Sequence, residues 1–498
     1  MRSNSGFLPE APLWLLGPPA GTIVILWVTR TSPVTTLGVL YAFLLLLLPW
    51  ASFLSWRQQN RRGLPVFAML GFVYWWWFAV GMFWLERTLG FGFGRRIIHS
   101  ESVDAALLLA LVGVACMGVG MRVQVTPLPP SRHLELDDKE ISWHYVRFVL
   151  VAATLVSLAP GAYSVLGSNG QNIVNILVST VPTVALLLVL RKCLTDKGSR
   201  LDRVLLWVYF PVRIVSGLAS GWLGSVVGVG FICGVMYFLV RRKIPLTTVA
   251  ISVVAVLFLQ VGKKEFRASY WNQGEAGGVV ERATSWLSGS ASKWSEAMNS
   301  TGNDSSRELS SESLERTSLL PQVAHVLDVT PSQIPFQGGG SYSYMAISLI
   351  PRFVWPDKPS VNDANRHYQI VYGLSTARDV NSVNIGIGCL TEAYISFGWV
   401  GVICIMFAIG IILGIYERSF LAHDSSPLFL AIGVALLLNI LGIEAQMSAY
   451  LGGVIQTVLL TILVFLPVLR NRSVKIRTAP STPRIVPAMP QLRVRRGR

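Results

Sequence analysis

Charge is what this chain has least of. Only 14% of its 498 residues are Asp, Glu, Lys or Arg, against about a quarter in a soluble domain. Most of its length therefore cannot form an ordinary water-facing surface. Cysteine is scarce too. Cys116, Cys193, Cys233, Cys389 and Cys404 lie in or beside apolar runs, without a Cys-x-x-Cys pair and with none in the long polar segment. That excludes a disulfide framework and a thiolate metal site. No Walker loop and no Gly-x-Gly-x-x-Gly before a helix offers a nucleotide its phosphate cradle. Paired aspartates are confined to Asp137 and Asp138 in "LDDKE", on the side read below as cytoplasmic. The external links before the long loop hold no Asp-x-Asp, which argues against a divalent metal held by converging carboxylates.

What is present is apolar: 52% hydrophobic residues and a mean hydropathy of +0.52, the signature of an integral membrane protein. About twelve runs approach the ~20 residues that span a bilayer. They lie near 11–29, 34–54, 64–85, 103–121, 144–167, 171–190, 204–219, 221–240, 244–262, 386–415, 427–445 and 450–469. The first is broken by "GPPAGT" and lacks a cleavage site after a clean apolar core, so it reads as a retained span rather than a signal peptide. The expected fold class is an all-α polytopic membrane protein with one large hydrophilic loop.

The net charge of +16 does not point to nucleic acid, because the cations sit in short runs between apolar segments. "WRQQNRR", "RKCLTDKGSRLDR", "RRK" and the tail "RNRSVKIR…RVRRGR" alternate with the nearly uncharged links "GSNGQN" and "SGLASG". Basic loops face the cytoplasm, so both termini are expected there, in the inner membrane of a bacterium. Arg87, Arg95 and Arg96 break the pattern in one external link. The expected organisation is a transmembrane bundle of about nine spans over 1–262 and a periplasmic loop over 263–385. C-terminal spans over 386–470 and a basic tail over 471–498 complete it.

The first half of the loop is rich in Ser, Glu and Arg. The spacing of Trp286, Trp294 and Met298 suits short amphipathic helices on the membrane surface, joined by "NSTGNDSS" and acting as a lid. Cations gather around it: Lys263, Lys264 and Arg267, then Arg352, Lys358, Arg366 and Arg378. Cations just outside a bilayer either snorkel to headgroups or bind a lipid-linked phosphate, for which arginine has a matching planar fork. Arg213 stands inside an apolar run, where an ionisable group is a functional candidate. Glu392, in "GIGCLTEAYISFGWVGV", is a carboxylate at the external end of a span and a candidate general base, with a structural hydrogen bond or salt bridge as the alternative. Glu444 is a weaker case of the same kind, and His367 a second candidate base.

The segment "IPRFVWPDKP" (Ile350–Pro359), followed by "GIGCLTEAYISFGWVGV" (Gly386–Val402), resembles the Wzy-type O-antigen and exopolysaccharide repeat-unit polymerases. Arg352, Trp355, Pro356, Lys358 and Pro359 match the loop motif, and Glu392, Tyr394, Phe397, Gly398 and Gly401 match the motif that opens the following span. The resemblance implies a GT-C-like membrane glycosyltransferase that needs no cofactor. Its donor and acceptor would be oligosaccharides on undecaprenyl diphosphate, and a chain-length regulator and membrane lipids would be its partners. Arg267, Arg352 and Lys358 would then neutralise the departing diphosphate, with Arg366, Arg378 and Arg213 as further contacts, and Glu392 or His367 would take the acceptor proton. An O-antigen ligase shares the donor. A flippase would show internal repeats and midplane charges, and an envelope assembly protein would use the loop for docking.

Overall fold

Without water in a bilayer, each backbone N–H and C=O must find its partner inside the chain, and a helix does this locally. A computed structural model describes residues 11–59, 63–84, 88–91, 94–128, 131, 134–157, 167–221, 223–244, 246–272, 278–299, 318–350, 355, 357–378, 380, 385–422 and 425–471. A helix lies over every one of the apolar runs. In chain order these are α1 (Ala11–Val28), α2 (Thr36–Gln58), α3 (Val66–Ala79, extended by the 3-10 turn Val80–Phe83), α4 (Ser100–Arg122), α5 (Glu140–Ser157) and α6 (Gly167–Leu194). Then follow α7 (Arg200–Ala219), α8 (Leu223–Arg241) and α9 (Leu246–Arg267). The polar segment contributes α10 (Val279–Asn299), α11 (Leu320–Val329), α12 (Ser343–Leu349) and α13 (Asp363–Val371). The chain returns to apolar helices in α14 (Cys389–Phe420), α15 (Pro427–Leu441) and α16 (Met447–Phe465).

Among the described residues, six helical stretches are long and apolar enough to cross a membrane: Thr36–Gln58, Val66–Phe83, Ser100–Arg122, Leu177–Leu194, Cys389–Phe420 and Met447–Val468. α1, α8, α9 and α15 contain shorter apolar stretches. α5 and α7 carry charge in their first turns, including Glu140 and Asp202, which lowers their hydropathy.

Two short antiparallel ribbons mark opposite ends of the bundle. β1 (Thr88–Phe91) pairs with β2 (Gly94–Ile97), and β3 (Leu134–Leu136) with β4 (Leu469–Asn471). At the β1–β2 end, Ser102 Oγ donates to Asp328 Oδ1 (3.0 Å), Thr31 N to Phe83 O (3.0 Å) and Gly388 N to Glu444 O (2.9 Å). At the β3–β4 end, Leu128 N donates to Ser419 Oγ (2.9 Å), and Ser426 N to Ser131 O (3.3 Å).

The β3–β4 end also holds a buried ion cluster. Ser199 caps α7 through a reciprocal capping box with Asp202. Arg147 from α5 donates to both Asp202 oxygens (2.7 and 3.2 Å), and Lys192 from α6 lies 3.7 Å away. Burial alone would push the Asp202 carboxyl up, but hydrogen bonds from Arg147 and Ser199 prevail and hold it down at about 2.

α4 and α14 approach so closely that glycines are required at the seam. A Cβ on Gly410 would lie 2.9 Å from the Met117 carbonyl carbon, and one on Gly414 3.1 Å from the Met121 carbonyl oxygen. Backbone cannot yield as a side-chain tip can. Gly410→Val is therefore expected to destabilise the protein by roughly 1–3 kcal/mol through overpacking. Gly224→Val, where nothing lies within 4 Å, should shift a thermal unfolding midpoint in detergent much less.

The polar segment differs from the expected short surface helices. α10 is one helix, packed antiparallel along α9. Arg282 sits over Tyr270 (5.4 Å), Trp286 stacks on Phe266 (5.4 Å) and Trp294 Nε1 donates to Phe258 O (3.3 Å). A Cβ on Gly262 would fall 2.7 Å from Ser290 N. The reason is amphipathicity satisfied by protein: Trp286 is fully buried against Leu218, Leu259, Phe266 and Ala283. The "NSTGNDSS" joint after Asn299 lies outside the described residues, as does the Met298 side chain.

Candidate functional site

The site is built at the β1–β2 end, where the described parts of the segment 318–388 pack at the start of α14. α14 is two helices joined at Gly398, whose φ of 65° and ψ of −151° belong to a region open essentially to glycine alone. Breaking the helix there frees carbonyls of the preceding turn. Ile395 O accepts from Gln337 N (3.0 Å) and Ser396 O from Gly338 N (3.1 Å), so the "QGGG" loop completes the broken turn. Tyr342 stacks on Phe397 (6.2 Å), and Phe336 meets Tyr394 edge-on (5.9 Å). A side chain at Gly339 (φ 83°) would strike the Phe397 ring. The portion of α14 after the kink, Trp399 to Phe420, is about 33 Å long at 1.5 Å per residue, enough for a ~30 Å hydrocarbon core by itself. The Cys389–Phe397 portion, with Glu392, is a separate helical element before the kink.

Glu392 is 1% exposed. Its Oε2 accepts from Met447 N (2.7 Å), so the carboxylate caps the first turn of α16, where a helix favours negative charge. Its Oε1 is buried without a hydrogen bond of good geometry among the described residues, with the Ser341 hydroxyl close to the carboxylate. No ion pair to Glu392 occurs among them either, so of its two structural alternatives the hydrogen bond is the one observed. Among the described residues the Tyr342 hydroxyl and Thr391 Oγ1 are also buried without a hydrogen bond of good geometry, the Ser396 hydroxyl standing near that of Tyr342. Burial, and then the charge of Glu392, push the Tyr342 phenol well above its usual range. A carboxylate oxygen, a phenol and a hydroxyl are thus left with hydrogen-bonding capacity on one kinked helix and the loop that clasps it.

The turn between α15 and α16 closes the floor. Cys389 Sγ donates to Ala445 O (3.2 Å), and Gln446 Nε2 donates to Val361 O and to Ser448 Oγ. Glu444 reaches the surface, yet the bulk of protein around it pushes its carboxyl up, opposed by the charge of Lys263 from α9. Lys263 and Glu444, both noted in the sequence, are therefore brought into electrostatic reach.

The other sequence candidates divide. Lys358 is 8% exposed, and its Nζ donates to Ile350 O (2.6 Å) and Ile347 O (3.3 Å). It closes the C-terminal end of α12, a structural use of the ammonium that the expectation of a diphosphate contact did not include. Arg366 pairs with Asp363 one turn back on α13 (2.9 Å) at a half-exposed surface. His367 and Arg378 are exposed, whereas the buried histidine of this region is His325, with Nε2 3.1 Å from Tyr372 O. Arg267 donates weakly to Gly221 O (3.4 Å) at the α7–α8 link. Arg213 lies about two turns below that link, on a helix that packs mainly on α6, α8 and α10. Its Nε is buried without a partner among the described residues. Arg352, Pro356 and Arg87 lie outside the described residues, as do the side chains of Lys264, Arg95 and Arg96.

Sequence reasoning missed Tyr342, although "GGGSYSYM" showed a glycine-rich turn with aromatics. It also missed Gln446, whose role depends on a turn and a loop meeting. Among the described residues no group of three or more His, Cys, Asp or Glu is placed to hold a metal ion.

No curated protein and no solved structure matches the chain. A family model matches residues 108–441, from the middle of α4 to the end of α15, and so takes in the kinked helix and Glu392. Since that is more than half of its length, the chain belongs to the family described as "Domain of unknown function (DUF8712)".

Proposed function

We propose that this membrane protein polymerises polyprenyl-diphosphate-linked oligosaccharide repeat units, as a Wzy-type enzyme of GT-C-like architecture with about twelve spans. In this reading both termini are cytoplasmic, and the Glu392 end faces the periplasm of a bacterial inner membrane. The observation that carries it is the state of Glu392. The carboxylate is buried, held by one oxygen on the Met447 N–H and, at the other, without a hydrogen bond of good geometry among the described residues, the Ser341 hydroxyl standing nearby. Arg352, Arg366 and Arg378 lie in the polar segment that precedes it in the sequence.

The chemistry requires little else. The acceptor hydroxyl attacks the anomeric carbon of the donor and gives its proton to Glu392 Oε1. A new C–O bond forms as the anomeric C–O bond to phosphate breaks, and the lipid diphosphate leaves with the electron pair. Cations at the rim offset the charge that develops on the leaving group. The diphosphate is a weak base, so no strong acid is needed. With Lys358 bound to α12 carbonyls, Arg352, Arg366, Arg378 and Arg267 are the stronger candidates for that rim.

Deletion of the gene tests the assignment through the lipid-linked glycans that accumulate. A polymerase leaves single repeat units on the lipid. Full-length chains on the lipid would indicate a ligase instead, and unchanged polymer would remove glycan transfer as the function.

A further inference from the structure

A second site lies away from Glu392, between α2, α8 and α9. The three helices diverge there, and a cavity of about 700 Å³ remains between them, lined by Phe53, Trp56 and Arg57 from α2 and by residues including Gly230, Phe238 and Val253. That volume falls within the ~300–1,000 Å³ of small-molecule sites. Its walls are apolar, and several stay uncovered by protein: Ile244, Val249, Val253 and Leu257 are about half exposed or more. Trp56 and Phe238 approach each other across it, with ring centroids 6.1 Å apart.

The charge around the mouth is mostly basic, although Arg241 is held by Asp196 (3.0 Å). Arg57 stands in the last turn of α2. Phe238 and Ile244, both wall residues, flank the turn Arg241-Arg242-Lys243, in which Arg242 takes a positive φ of 57°. An apolar cleft that ends at a cluster of arginine and lysine has the chemistry of a lipid site: chains fill the cleft, and a negative headgroup meets the cations. We infer that this cleft binds an anionic glycerophospholipid, with its acyl chains between α2 and α9 and its phosphate at Arg57 and Lys243. This does not depend on the glycan chemistry proposed above. Only the leaflet, the cytoplasmic one, follows from the orientation.

The test uses the full chain in mild detergent, with native mass spectrometry after exchange against phosphatidylglycerol or phosphatidylcholine. Wild type is expected to retain phosphatidylglycerol preferentially. Arg57→Gln should lower that preference about fivefold, the size expected of one basic residue at an anionic surface, while leaving phosphatidylcholine binding unchanged. Gly230→Leu should lower occupancy by both lipids. A Cβ there meets only Ser252 Oγ at 3.8 Å, so the side chain can fill the cleft without disturbing the helices, which an unchanged unfolding midpoint would verify. Equal retention of the two lipids by wild type, an unchanged preference in Arg57→Gln, or unchanged occupancy in Gly230→Leu would each overturn the inference. So would recovery of a polyprenyl phosphate as the retained lipid.

Discussion

Glu392→Gln is expected to stop turnover while leaving the protein folded. The amide keeps a carbonyl oxygen that can accept from Met447 N, as Glu392 Oε2 does at 2.7 Å, so the cap on α16 survives. What it loses is the basic oxygen. If Oε1 takes the acceptor proton, the rate should fall about 10²–10⁴-fold, the usual share of a general base, with membrane abundance near wild type. Glu392→Ala removes the cap as well, adding roughly 1 kcal/mol of destabilisation. Polymer length, transfer rate on a purified lipid-linked donor, and protein level in the membrane together check this. Full-length polymer from a well-expressed Glu392→Gln protein would leave the carboxylate as a helix cap alone.

Asp202→Ala is expected to have the largest effect on stability. Arg147 is 6% exposed and Asp202 fully buried. Removing the carboxylate would leave a buried guanidinium facing Lys192, two cations with their shared partner gone. Breaking such a pair from one side costs roughly 3–5 kcal/mol, read as a large fall in unfolding midpoint and in yield. Replacing both partners with apolar residues should recover much of it. The same carboxylate sets a pH dependence. Its pKa is depressed on folding, from the ordinary aspartate value of 3.8 to about 2. Its contribution is therefore complete above about pH 4 and lost as pH falls towards 2, roughly 2 kcal/mol in all. The Asp202→Ala protein should lack that acid-side loss.

The helices themselves were legible in the sequence because their cause is local. An apolar run of about 20 residues has one low-energy backbone state in a bilayer, and each of the runs carries a helix. Glu392 was legible for the same reason, as a carboxylate where apolar residues surround it. Its engagement with Met447 was not. The two are 55 residues apart, and the contact exists only because the α15–α16 turn folds beneath the start of α14. α10 shows the same limit from another side. Trp286 and Trp294 announced an amphipathic helix, but periodicity says only that one face is apolar, and the membrane surface and α9 satisfy it equally. The backbone of Ser290 against Gly262 decides for α9. Lys358, read among the cations of a loop, turns out to be held by the carbonyls of α12.

The sequence by itself determined that this is a helical membrane protein whose polar chemistry gathers in 263–388, since hydropathy and charge act on each segment independently of the others. The tertiary structure alone decided which polar groups neutralise one another and which are left able to react. A buried charge is stable only beside a particular partner, and partners are brought together by the crossing of helices and loops that no local pattern encodes. Arg147, Lys192 and Asp202 come from three helices into one closed cluster, while Glu392 Oε1 and the Tyr342 hydroxyl come together without a hydrogen bond of good geometry among the described residues.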